Sequence, residues 1–291
     1  MRIDMAQMAS AFDIIPATRR KALVFPREHG AWGMLLVPLA SGAAVGFLRG
    51  SNVTAFLLLL TVSLGLFWLR TPVESLLGTS PMRAQSVPER LFAAKYALFL
   101  ATVSVITLTA LLWGGKNSGL LLIGVIAFTA FGLQVLARSI SRKYRMTSQM
   151  IGAAGLSASA AAAYYVVTGR LDSTAGALWL ANWIFAGDQI HYVQLTLRHS
   201  KVRGMAERLY RGLGFFFGQV VMFAAVFAAC SVGILPKMVL LAFLPVVVRG
   251  VAFFFKKPAP LAITRLGVSE LLQSVSFGLL LFVSFAWKGF V

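Results

Sequence analysis

Nine apolar stretches, each close to the length that crosses a bilayer, decide what this chain folds into. They lie at about 30–48, 52–69, 92–113, 118–137, 148–168, 174–190, 212–233, 237–255 and 266–287. A helical span needs roughly 20 apolar residues. Backbone groups inside hydrocarbon must find their hydrogen bonds within the protein, and a helix does so within one segment. The expectation is therefore an all-α polytopic membrane bundle with about nine transmembrane helices. Charged residues make up only 12% of the chain, about half the share of a soluble domain. The single cysteine, Cys230, sits inside an apolar run, so an internal disulfide and a thiolate metal cluster are both excluded. Residues 1–24 hold no apolar core of signal-peptide length. They read as a cytoplasmic N-terminal tail, followed by one nine-helix transmembrane domain over 25–291.

The placement of charge orients this map. The formal net charge is +18, which on its own would suit a polyanionic partner. With the N-terminus inside, 22 of the 27 lysines and arginines fall on the inner side, as the positive-inside rule requires. The outer side keeps Arg49, Lys116, Arg170, Lys237 and Lys288. The basic residues thus flank spans and face anionic lipid. Nothing resembles a module for stacking on bases or reading a groove, so no nucleic acid is expected. The expected setting is a cytoplasmic membrane, with the N-terminus inside and the C-terminus outside.

Small residues mark helix contacts. Gly42 and Gly46, Gly155 and Ser159, and Gly214 and Gly218 are each four apart. Close approach of small faces holds helices together in lipid, where the hydrophobic drive between them is weak. The run Gly152–Ala163 makes the fifth span the expected centre of the bundle.

Polar residues inside the apolar zone are costly, so each demands an account. Pro26-Arg27-Glu28-His29-Gly30-Ala31-Trp32-Gly33-Met34 precedes and enters the uncharged run Ala31–Leu48. It reads either as the polar foot of a membrane helix or as a ligand-facing corner. Arg70 and Glu74 close the second span, four apart, and pair if the helix continues past Pro72. Asp188, His191, Tyr192, Gln194 and Arg198 share an arc of roughly 160° if the sixth span continues as a helix. Asn182 lies deeper. Arg249 and Glu270 are opposite charges at matched depth, on the order of 6–9 Å below the inner boundary at 1.5 Å per residue. They form a candidate structural ion pair. Pro245, four residues before Arg249, frees a backbone carbonyl.

Together these define a cytoplasm-facing vestibule. Its candidate ligand-binding residues are Arg27, Glu28, His29, Arg70, Glu74, Asp188, His191, Tyr192, Arg198 and Glu270, and Arg265 is a further basic member. Arginines with few acids suit phosphate or carboxylate. No nucleophile stands at a motif spacing from His29 or His191, so catalytic residues are not assigned. No paired histidines or thiolates offer a metal site.

Arg27-x-His29-Gly30-Ala31-Trp32-x-Met34, with Pro38 following, resembles the opening signature of the YwiC-like family of bacterial membrane proteins. The topology is more distantly similar to the UbiA superfamily of intramembrane prenyltransferases. Those have nine helices and functional cytoplasmic loops after the second and sixth spans, here Arg70–Leu91 and Asp188–Arg211. The likeness implies magnesium held by Asp-rich motifs and a diphosphate leaving group. The corresponding stretches here, Arg70–Gly78 and Asp188–Tyr192, carry one acid each. Prenyl transfer is therefore not carried over and the cofactor stays unassigned. The expectation is a protein that binds, and in an enzyme's case acts on, a membrane lipid with an anionic head such as an isoprenoid or phospholipid. An alternative is a transporter for a small anionic or organic solute, and a third is an assembly partner with no small ligand.

Overall fold

A computed structural model of the chain describes residues 15–26, 29–78, 82–114, 118–140, 144–199, 205–255 and 262–287. Among them run ten helices: α1 (Ala17–Val24), α2 (His29–Gly46), α3 (Val53–Leu77), α4 (Val87–Trp113), α5 (Ser118–Ile140), α6 (Arg145–Thr168), α7 (Ser173–His199), α8 (Met205–Ser231), α9 (Val239–Phe255) and α10 (Ile263–Ala286). The described residues contain no strand. α2 to α10 follow the nine apolar stretches. Among the described residues, six helices are long and apolar enough to cross a membrane, and α2 and α9 contain shorter apolar segments. α7 is less apolar, because its second half carries Asp188, Gln189, His191, Gln194 and Arg198.

The chain divides into two compact units. The first holds α1, α4 and α3 from Leu57 onward. Residues 17–24, read from the sequence as tail, form helix α1, which buries Leu23 and Val24 with Ala84 and Phe92. Arg19 fastens it: Nε donates to Glu89 Oε1 at 2.7 Å, and Nη2 to Glu89 Oε2 at 3.1 Å and to the Arg83 carbonyl at 2.8 Å. Ser75 Oγ donates to the Leu23 carbonyl at 3.1 Å. α3 runs on through Pro72 to Leu77, beyond the end at 69 that apolarity alone marks. α4 likewise starts five residues before the expected 92, because Ser86 caps it and Pro88 suits its first turn. Glu89 completes that cap by accepting from the Gln85 amide at 2.8 Å.

The second unit holds α2 and α5 to α10. α6 is its centre, packing against α2, α5 and α7. Its apolar window is 61% buried, against 6% for that of α5. Residue size explains the difference. Ala153, Ser157, Ala158 and Ala160 to Ala163 present little more than backbone, so neighbours come close. A Cβ at Gly42 would overlap the Ala160 carbonyl, and one at Gly46 would press on Val167. Two α7 indoles lock the next face, Trp179 donating to the Ala154 carbonyl at 2.8 Å and Trp183 to the Met150 carbonyl at 3.0 Å. Gly214 is different: its surroundings are open, so the Gly214–Gly218 spacing is not a contact motif. Large apolar side chains such as Phe128, Phe217 and Val221 face outward, an arrangement suited to lipid and not to water.

Candidate functional site

The polar residues of the second unit converge on Arg249. Its Nη1 donates to both carboxylate oxygens of Glu270, each at 2.7 Å, and Nη2 donates to Asp188 Oδ2 at 2.9 Å. Three helices meet here, α9, α10 and α7. The side chains of Arg249, Asp188 and Glu270 retain 7%, 2% and 6% of their exposure. Isolated, each charge would be prohibitively costly at this depth, and pairing offsets that cost. The sequence reads Arg249 and Glu270 as an ion pair and places both Asp188 and Glu270 among the ligand-binding candidates. The structure engages Asp188 with the same guanidinium.

A shell of polar groups holds the three in place. Gln219 on α8 donates from Nε2 to Asp188 Oδ1. Gln189 donates to the Glu270 carbonyl at 3.0 Å and to Ser274 Oγ at 2.9 Å. The Tyr192 ring lies 4.0 Å from the Arg249 guanidinium carbon, within cation–π range. Arg249 Nε and Gln219 Oε1 are buried without a hydrogen-bond partner. Gln189, Gln219 and Ser274 escaped the sequence reading. The available signal was an amide, Gln219, standing alone in the apolar run Phe215–Phe223.

Gln219 also faces an apolar groove of about 530 Å³ between α8 and α9. Phe215, Phe216, Phe223, Phe227 and Phe254 line it, with Gly250 as floor. A Cβ at Gly250 would come within 3.2 Å of Gln219 Oε1 and of the Phe215 ring. One amide thus joins the groove to the buried charges.

The other candidate residues lie on α3, α7 and α10. On the shared arc of α7, His191 turns towards α8, its ring centroid 5.1 Å from that of Phe215. Gln194 donates to Gln149 on α6 at 3.2 Å. Arg265 is exposed in the first turn of α10. In the first unit, Arg70 Nε donates to Glu74 Oε1 at 2.7 Å, an exposed pair across one turn of α3. Arg27 and Glu28 lie outside the described residues, as do the side chains of His29 and Arg198. No group of three metal-ligating residues occurs among the described residues.

A second cluster ties the turns at the other end of α6 and α7. Arg49 Nη1 donates to Tyr164 Oη and Thr174 Oγ1, both at 3.1 Å, and lies 3.8 Å from Asp172. Tyr164 in turn donates to Asp172 Oδ2 at 3.0 Å. The sequence shows these only as sparse outer-side polar residues, whereas the structure brings them together.

Residues 25–164 match the model of the YwiC-like protein family. The match takes in α2 to α5 and α6 as far as Tyr164, just under half of the chain. Asp188, Arg249 and Glu270 lie beyond it. No curated protein and no solved structure matches the chain.

Proposed function

We propose, starting from that family likeness, that this integral membrane protein binds a lipid or isoprenoid with an anionic head group. The chain of the ligand lies in the α8–α9 groove. The supporting observation is the groove itself: five phenylalanines, some 530 Å³ of space, and a single amide where it meets the buried charges. Such a site, apolar with few polar groups, has the character of a pocket for an amphipathic ligand. The head group belongs at the end of the groove where Arg211 lies near the start of α8. Arg249 does not serve it, since its Nη atoms are engaged by two carboxylates. In this reading the protein lies in a bacterial cytoplasmic membrane with its basic loops inside. The UbiA-like order of nine spans belongs to the same reading, and a catalytic version would be an intramembrane transferase.

Native mass spectrometry of gently solubilised protein tests this. Wild type is expected to retain an anionic lipid, and Ala224→Trp, which fills the groove without touching Arg249, is expected to lose it. Equal retention by both overturns the groove assignment. The second reading, a transporter for a small solute, draws on the buried triad, because a cluster of one cation and two anions suits ion-coupled movement. Solute accumulation in proteoliposomes that depends on Asp188 would favour it.

A further inference from the structure

We infer that Asp188 is a proton-binding site inside the membrane, with Gln219 turning its amide as the proton comes and goes. This stands apart from the lipid reading and does not rest on it.

Arg249 carries one positive charge and faces two carboxylates, so the cluster has a formal charge of −1 if both are ionised. All three side chains are more than nine-tenths buried, and an uncompensated charge at that depth is costly. One proton removes the excess. Among the described residues, the other groups around the cluster do not supply the missing charge. From α8 comes the neutral Gln219, and from α10 the Ser274 hydroxyl beside Glu270. Tyr192 on α7 lies against the guanidinium. The helices packed on the rest of α7 offer Ser41 from α2 and the Met150 thioether, next to Gly187, from α6. His191, one turn beyond Asp188, is a further titratable group of α7. It lies against α8, where a Cβ at Gly218 would come within 2.8 Å of its ring.

Hydrogen bonding decides which acid holds the proton. Glu270 accepts two charge-assisted bonds from Arg249 and Asp188 only one, so the anion is better kept on Glu270. Asp188 Oδ1 meets Gln219 instead, and the partner amide has a buried oxygen with nothing to accept. Amide nitrogen and oxygen are near-isosteric, and their assignment follows the hydrogen-bond network. With Asp188 ionised, Gln219 Nε2 donates to it and Oε1 is stranded. With Asp188 protonated at Oδ1, the new O–H donates to Oε1 after the amide turns over, and the NH2 faces the groove side. Uptake moves a proton from hydronium to the carboxylate, leaving water and a neutral acid. Release returns it to water.

Infrared spectroscopy of the full-length protein in lipid nanodiscs tests this at neutral pH. The expected result is a C=O band of a protonated carboxylic acid that shifts when aspartate carboxyl carbons carry carbon-13. The band is unmoved by labelled glutamate and disappears in Asp188→Asn. Absence of the band from wild type at neutral pH overturns the inference. So does a band that shifts with labelled glutamate, or one that persists in folded Asp188→Asn. If that variant does not fold, the isotope comparison in wild type decides alone.

Discussion

The two polar clusters of the second unit use similar chemistry in different surroundings. Arg49 with Asp172 and Tyr164 sits at the turns, where the ion-pair side chains keep 25% and 36% exposure and stand 3.8 Å apart. Arg249 with Asp188 and Glu270 sits between helices, almost fully buried, at 2.7 to 2.9 Å. Water reaches both members of the Arg49–Asp172 pair and can replace either one, although Tyr164 and Thr174 beside them are buried. Nothing replaces one lost from the second. The position of an arginine, more than its partners, sets what its removal costs.

Arg249→Met sharpens that contrast most. It leaves two carboxylates facing each other without their cation, at a cost of about 3–5 kcal/mol. Thermal unfolding in detergent reads this as a large loss. A loss no greater than that of Arg49→Met would break the comparison. Gly42→Ala comes next and separates packing from charge. Its new Cβ meets the Ala160 carbonyl, a backbone atom that cannot rotate away, and overpacking of this kind costs about 1–3 kcal/mol. Arg49→Met is milder, about 0.2–1 kcal/mol for a partly exposed pair, and added salt should shrink the difference from wild type. Gly214→Ala closes the series. Its site is open, so the variant should match or exceed wild type, by up to about 1 kcal/mol from helix propensity. Destabilisation there would mean that the open face is packed against something.

The helices were legible because lipid imposes one length and one periodicity. α2, α5, α6, α9 and α10 begin and end close to where apolarity begins and ends, whereas α7 runs on to His199, nine residues past the apolar end at 190. Boundaries moved where capping or continuation, neither of them apolar, sets the end. α4 starts at Val87 through Ser86 and Glu89, and α3 passes Pro72. Arg249 and Glu270 could be matched by depth along two helices. Asp188 could not be joined to them, since its depth does not say which neighbour α7 faces. Gln219 was hidden for a related reason: an amide has no charge to demand a partner, and its two contacts come from different helices. The small run in α6 was the better guide, because side chains without bulk leave few places for a helix except the middle.

A double-mutant cycle on Arg249→Met and Glu270→Gln, followed by unfolding in detergent beside the same cycle on Arg49 and Asp172, tests the contrast most directly. The buried pair should show a coupling energy above about 1.5 kcal/mol, within the range for contacting residues, and the turn pair below about 1 kcal/mol. Equal couplings, or a buried coupling below about 0.5 kcal/mol, would contradict the account of Arg249 as the closed centre of a buried charge cluster.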